Sequence, residues 1–555
     1  MRNRWRCALL TLLLTAAAAP SLADEADELR KLRDTTIALV NALVEQGVLT
    51  REKADAIIAK AEQAGAKPPG AVPAAPPASA SAGAAPPAAA APSAAAPPLA
   101  PGTVRVPYVP ELVKQEITNE VKQDVLAQAK AERWGEPGAF PDWLRRFDWS
   151  GDVRIRFESD SFPSGNAPVQ TLQAFGVNID NSTDTDNRMR FRARFGFVAT
   201  IADPVTVGLR LASGGVGLGS NPGSENQTLG TYEGRASVGL DRAYIAYQPL
   251  SWFNATAGLL GNPYFRPTAL VWTDDVSLGG ALLQFTPQFG EHWKFFTTAG
   301  AFPILQVDPS PTNSASSKWL YAYQSGFNLK LNNSSALTLA AALYDYRNIE
   351  GVPNPTIFST AYSNTAAPYR QTGNTVFDID GLLNTQNGTQ NYLWGLASKF
   401  HVLNISSQLD LGFVGATHFI IDGDWVKNLG FNENEIIART GYAVNRQIRG
   451  WQTRFTIGYP TMQQKYAWAG YVGYRWVERD ATVDAFTDQD FHLGGTDAQG
   501  YFLGARYAFA KNSYVNLRWF SAKQILGVEL AGADSLLSSL PLAINVMQLD
   551  FMSSF

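Results

Sequence analysis

From Ser150 to its end the chain alternates apolar and polar positions with a period of two. Val153, Ile155 and Phe157 interleave with Asp152, Arg154, Arg156 and Glu158; Met189, Phe191, Ala193, Phe195 and Phe197 interleave with Arg188, Arg190, Arg192 and Arg194. Successive side chains of a strand point to opposite faces, so this period predicts strands with one apolar and one charged side. An arginine row of this kind puts one face on hydrocarbon and the other on water, although in a soluble sandwich it could face bulk solvent. The pattern recurs. Tyr466, Trp468, Val472, Tyr474 and Trp476 share one face, with Ala467, Ala469, Tyr471, Gly473 and Arg475 on the other. Tyr501, Leu503, Ala505, Tyr507 and Phe509 oppose Arg506, and Val515, Leu517 and Trp519 oppose Asn516 and Arg518.

About 16 such segments can be marked, each near the ~9–11 residues that a tilted membrane strand needs. They begin near Trp149, Asn187, Val205, Ser237, Trp252, Val276, Trp293, Lys318, Ala336, Asn391, Thr417, Trp451, Tyr466, Tyr501, Ser513 and Ala543. The links between them alternate in length. Short ones fall at Ala202–Pro204, Pro249–Ser251, Asn332–Ser335, Thr461–Lys465 and Ala510–Asn512; long ones include 160–186, 214–235, 347–390 and 478–499. Bacterial outer-membrane barrels show this alternation, with short turns periplasmic and long loops outside. The stretch His401–Gly415 is either a longer inner link or an extra strand pair, which leaves the strand count open by two. Met547, Leu549, Phe551 and Phe555 fall on one face of a last strand, which must pair with the first if the barrel is to have no edge. The expected fold is an all-β transmembrane antiparallel barrel of about 16 strands.

Before Trp149 the period differs. Residues 1–23 read as an export signal: Arg2, Arg4 and Arg6, an apolar run from Ala8 to Ala19, then Ser21-Leu22-Ala23 for cleavage. Cys7 precedes the apolar run, which argues against a lipoprotein anchor. Residues 24–66 carry Leu29, Leu32, Leu39, Leu43 and Val44 on one helical stripe, Gly47 as a stop, and Thr50 as N-cap of a second helix. They form either a plain helical hairpin or a short oligomerising coiled coil in the periplasm. Residues 67–102 are an Ala/Pro/Ser linker that cannot bury a core. Residues 103–148 add a helix with Val113, Ile117, Val121 and Val125, then an aromatic connector around Trp134, Phe140, Trp143 and Phe147. Residues 149–555 are the barrel.

Composition narrows the function. No run of roughly 20 apolar residues follows the export signal, which excludes a helical membrane span. Only 17% of residues are charged while 12% are aromatic, a balance unlike that of a soluble enzyme of this size. The single cysteine leaves with the export signal, so the mature chain has no disulfide, thiolate or Cys–metal chemistry. Removing three arginines takes the formal charge from −4 to −7, which argues against nucleic acid as a partner.

Particular stretches resemble a known family. Leu32-Arg33-Asp34-Thr35-Thr36 with Leu43-Val44-Glu45-Gln46-Gly47-Val48-Leu49, Trp149-Ser150-Gly151-Asp152-Val153-Arg154 and Arg192-Ala193-Arg194-Phe195-Gly196 are similar to the proteobacterial "putative porin" family. So are Gly208-Leu209-Arg210-Leu211-Ala212-Ser213-Gly214, Asn226-Gln227-Thr228-Leu229-Gly230 and Leu240-Asp241-Arg242-Ala243-Tyr244. The resemblance covers nearly all of the chain apart from the linker. It implies an outer-membrane channel in contact with lipid and a homotrimer; a periplasmic N-terminal region and C-terminus are expected from the export signal and the alternating links. The terminal Phe555 resembles the signal that outer-membrane assembly machinery reads in its clients.

The candidate chemistry is electrostatic. Arg154, Arg156, Arg188, Arg190, Arg192, Arg194 and Arg210, with Arg454, Arg475, Arg506 and Arg518 on later strands, are expected to line the lumen. Lumen charge sets the field on a permeating ion, so these residues either give an anion preference or form a solvated wall paired to acidic loops. Asp422 and Asp424 are expected to face inward too. Asp274 and Asp275 end the third long loop, which stands where general porins fold a constriction loop. No cofactor, metal site or catalytic residue is expected. His292, His401, His418 and His492 lack ligand spacing, Asp422-Gly423-Asp424 lacks the rest of a calcium loop, and Gly215, Gly217 and Gly219 precede no helix. Passive diffusion of small hydrophilic solutes is the expected function. The alternatives are a tether that reaches periplasmic or cell-wall partners through the N-terminal helices, and a barrel enzyme with a Ser/His or Asp/His set at its rim.

Overall fold

The computed structural model describes residues 146–555 and Gln123, apart from 175–176, 233, 357–358, 381–384, 387–388, 391–392 and 527–539. The export signal, the helical segment, the linker and the connector up to residue 145 lie outside the described residues, as does the coiled-coil alternative.

Sixteen long strands form the wall. They are β1 (Phe147–Ser161), β2 (Asp186–Ala202), β3 (Val205–Ser213), β4 (Val238–Leu250), β5 (Phe253–Gly261), β6 (Ser277–Phe285), β7 (Trp293–Leu305) and β8 (Lys318–Asn332). Then follow β9 (Ser335–Arg347), β10 (His401–Val414), β11 (Thr417–Asn428), β12 (Arg449–Gly458), β13 (Trp468–Val477), β14 (Ala498–Ala510), β15 (Ser513–Gln524) and β16 (Ala543–Ser554). Each pairs antiparallel with the next, from Ile155 opposite Phe191 at the first seam to Leu517 opposite Leu549 at the last. β16 returns to β1 with Phe551 opposite Ile155, and Gly151 and Phe555 exchange backbone hydrogen bonds of 3.2 and 3.0 Å. The barrel is closed, with no strand edge left in the wall.

Period-two alternation explains which side chains face out. Val153, Phe157, Met189, Phe195, Trp468, Val472, Leu503, Phe509, Leu517 and Phe551 are all exposed. Around a closed wall they make an apolar band far larger than the few hundred Å² a soluble monomer tolerates, and hydrocarbon is the solvent that suits it. Aromatic clusters mark both rims of the band. Phe147, Trp149, Phe195 and Phe197 stack on one another near the short turns, as do Trp293, Phe295 and Phe327. Trp451, Tyr474 and Tyr501 cluster toward the long loops, tilted or edge-on to one another. An amphipathic ring at each interface has both environments it favours.

Seven short links lie at one rim and eight long loops, L1 to L8, at the other. β1 begins and β16 ends at the short-turn rim, where Ser554 donates to the Asn512 carbonyl of the β14–β15 turn at 3.0 Å. One expectation is corrected. The tenth strand does not begin near Asn391; it is His401–Val414, the stretch read as a doubtful link. Its outward Leu403, Ile405 and Leu409 are interrupted by Ser407, which sits opposite Gly423 on β11, and this small pair broke the apolar run. The stretch Val376–Leu396 instead makes two small ladders inside L5 (348–400). The count of 16 stands.

Candidate functional site

The inner wall starts from a local conflict. The β1–β2 register sets Arg154 opposite Arg192 and Arg156 opposite Arg190. Like charges directly opposed on one face destabilise a sheet unless other groups intervene. Carboxylates from several elements do so. Arg156 donates from Nε to Asp550 of β16 at 2.7 Å and from Nη1 to Asp490 of L7 (478–497) at 3.0 Å. Arg192 donates to Asp152 at 2.8 Å and to Asp275 of L3 (262–276) at 3.2 Å. Arg188 meets Glu158 and Asp160 at 2.6 Å each, and Arg190 meets Glu158 at 3.3 Å. Arg194 pairs with Asp275 and with Glu225 of L2 (214–237); Arg210 pairs with Glu225 at 3.0 Å and with Asp241.

L3 enters the barrel because its middle is apolar. Leu270, Val271 and Trp272 are buried among side chains of β6 to β9, with Trp272 set edge-on to Tyr344 at 5.4 Å. Polar contacts fix its course. Phe265 donates its N–H to Gln324 of β8 at 2.7 Å, and Thr268 donates from Oγ1 to Asp424 of β11 at 2.6 Å. The Pro267 and Ala269 carbonyls accept from Arg454 and Arg475 at 3.0 and 2.9 Å. L3 therefore leaves the wall between β5 and β6 and touches β8, β11, β12 and β13, which carries it across the lumen.

L7 folds in beside it. Thr273 donates to the Phe486 carbonyl and Asp488 to the Ala269 carbonyl, at 2.9 and 3.3 Å. The return of L7 depends on Gly494 and Gly495 at φ 96° and 94°; a Cβ on Gly495 would lie 1.7 Å from the Thr372 carbonyl oxygen of L5. Apolar side chains of L3 and L7 thus fill part of the lumen, beside the arginines of the wall.

There a cavity of about 190 Å³ is lined by Arg154, Arg192, Arg454, Arg475, Arg506 and Arg518. Asp274 and Asp275 of L3 and Asp488 and Asp490 of L7 face them across it, leaving the arginines in excess by two. Three guanidiniums lie over rings: Arg475 over Phe491 of L7 at 4.9 Å, and Arg506 over Tyr471 and Arg518 over Phe520 of the wall at 5.4 and 5.6 Å. The loop groups respond to this field. Burial opposes the charge of Asp490, but Arg156 and Arg518 outweigh it and hold the carboxyl well below its usual range. Burial opposes that of Asp275 as well, and Arg192 and Arg194 likewise prevail. Burial, with Asp275 nearby, pushes Glu225 up to about 7. It also raises Asp488, and it lowers the His492 imidazole to about 4.

Of the eleven arginines read from sequence, six meet in this cavity. Arg156, Arg188, Arg190, Arg194 and Arg210 belong to the charged wall beside it. The two constriction-loop aspartates differ: Asp275 is buried in the arginine cluster, while Asp274 is exposed and meets Arg266 at 2.6 Å. Asp422 and Asp424 do face inward, the first to Arg454 at 2.6 Å and the second to L3. Phe555 sits at the closing seam with its ring centroid 6.4 Å from that of Phe195. Sequence reasoning set Asp152 and Glu158 on the charged face without giving them a role, and missed Glu225, Asp488, Asp490 and Asp550. Strand parity carries the signal for Asp152, Glu158 and Asp550. For the loop carboxylates no local signal exists.

Two Asp–His pairs stand near the rims, His418 with Asp410 at 2.6 Å and His401 with Asp345. Neither imidazole contacts a hydroxyl among the described residues. No group of three or more potential metal ligands occurs among those residues.

No curated protein matches the chain. Among solved structures, the outer membrane channel DcaP of Acinetobacter baumannii is 11% identical, with 74% of this chain and 97% of that one aligned at a TM-score of 0.36. OprB of Pseudomonas putida is 10% identical, covering 75% and 96% at 0.43. OmpF of Salmonella typhi, solved in complex with daunomycin, is 11% identical, covering 74% and 97% at 0.37. The family described as "Putative porin" matches residues 33–555, and the chain therefore belongs to it.

Proposed function

We propose that the protein is an outer-membrane channel through which small hydrophilic solutes and ions diffuse passively, with a preference for anions. The observation that carries this reading is the six-to-four excess of arginine over aspartate around the narrow cavity between L3, L7 and the wall. An ion passing there has been stripped of part of its bulk water, so fixed charges act on it more strongly than at the mouths. The short-turn rim, with both ends of the barrel, faces the periplasm in this reading, and the long loops face outward. The residues ahead of β1 are then periplasmic. A homotrimer is part of the proposal. The outward row Ala257, Ala281 and Ala301 offers a flat strip on which another copy could pack closely.

The triple variant R190A/R192A/R194A tests the field. It removes three positive charges and leaves Glu158, Asp152, Asp275 and Glu225 short of partners. The reversal potential in a KCl gradient should move toward the potassium value. If the chloride-to-potassium ratio of the variant equals that of the parent, the lumen arginines do not set selectivity.

A further inference from the structure

The arginines of the cavity are not equally neutralised. Arg192, Arg454, Arg475 and Arg518 each have an aspartate within 4 Å. Arg154 and Arg506 have none among the described residues. Arg154 sits opposite Arg192, which already shares Asp152 and Asp275, and its Nη2 donates to the neutral Asn226 at 2.6 Å. Arg506 is flanked by Ala469 on β13 and Asn516 on β15, and its guanidinium lies over Tyr471. The Nε of each is buried without a hydrogen-bond acceptor. Two cations with no ion-pair partner of their own, in one small chamber whose aspartates are already engaged by other arginines, are costly, and a chamber held in this state is complementary to an anion.

Shape narrows the anion. A guanidinium stacked on a ring is held flat with its N–H edge free, and that edge fits the two oxygens of a carboxylate better than a spherical ion. The chamber is also lined by Phe491, Phe502 and Phe520. Chloride or sulfate has no use for these rings, whereas a planar apolar body does.

Building on the anion-channel reading, we propose that the chamber is a binding station for small aromatic monocarboxylates, with Arg154 and Arg506 taking the carboxylate and the phenylalanine rings the body.

Benzoate is the probe. The purified full-length protein is placed in planar bilayers in KCl, and benzoate, acetate or sulfate is added. Benzoate should interrupt the current saturably, and acetate and sulfate should need concentrations about tenfold higher, since they lack the apolar body or the fitting fork. R154Q and R506Q should each raise the half-blocking benzoate concentration about tenfold by removing one charge-assisted fork. R347Q, on an exposed arginine that pairs with Asp345 at the end of β9, should leave that concentration unchanged. Equal block by all three anions overturns the proposal, and so does a benzoate block that ignores R154Q and R506Q. The comparison of anions on the parent protein decides the matter even if a variant fails to fold. A protein that conducts with anion preference but ignores benzoate sinks this inference alone. A protein that does not conduct at all sinks the channel reading as well.

Discussion

Excising the inward lobe of L7, residues 481–495, and bridging Asp480 to Thr496 with a short Gly-Ser link is expected to raise single-channel conductance roughly threefold or more, because it removes one of the two loops that fill a lumen a 16-strand wall would otherwise leave open. The bridge is feasible, since Thr496 Oγ1 donates to the Arg479 carbonyl at 2.5 Å across the base of the lobe. The lobe fills space with Phe486 and Phe491 and caps Arg156 and Arg518 with Asp490, at 3.0 Å in each pair. Its loss should therefore widen the path and add uncovered positive charge together. Conductance and chloride preference should rise in the same variant, with a heat-modifiable band on gels showing that the wall still closes. Unaltered conductance would mean that L7 does not obstruct the path.

Asp550→Ala should be the most damaging single substitution at the closing seam. Asp550 lies on β16 opposite Arg156 of β1, and it also meets Arg518 at 3.3 Å. The Arg156 and Asp550 side chains are only 1% and 4% exposed, so lumen water screens their pair weakly. Removing one partner of a buried pair leaves an uncompensated charge, a loss of about 3 kcal/mol in comparable sites. The temperature at which the compact gel band converts to the unfolded one should fall well below that of the parent. Asp550→Asn, which keeps one acceptor oxygen, should fall in between. A D550A barrel as heat-resistant as the parent would show that Asp490 and Glu158 suffice for Arg156.

The wall was legible in the sequence because strand geometry is local. A side chain at Phe195 or Leu503 declares its face by its neighbours two residues away, and the turns declare themselves by length. The failure at His401–Val414 has the same origin: with Ser407 in an outward slot, the local alternation vanished although the strand did not. The arginines were legible for the same reason. Of their loop partners only Asp275 was, because Glu225, Asp488 and Asp490 reach the wall from loops whose course is set by distant packing. Trp272 illustrates the point, being an ordinary loop tryptophan in the sequence and a buried anchor against Tyr344 and Phe486 in the fold. Which of the eleven arginines keep a free charge depends on those loops together with the strand carboxylates Asp152, Glu158, Asp422 and Asp550.

The most direct test is the zero-current potential of the purified protein in a planar bilayer across a tenfold KCl gradient. The excess of two arginines over aspartates at the cavity predicts a potential of the sign set by chloride; a unit charge about 8 Å from the path contributes about 1 kcal/mol at an effective dielectric of about 40, roughly a fivefold bias per charge. A potential of the potassium sign, or a membrane that stays silent after insertion, would contradict it.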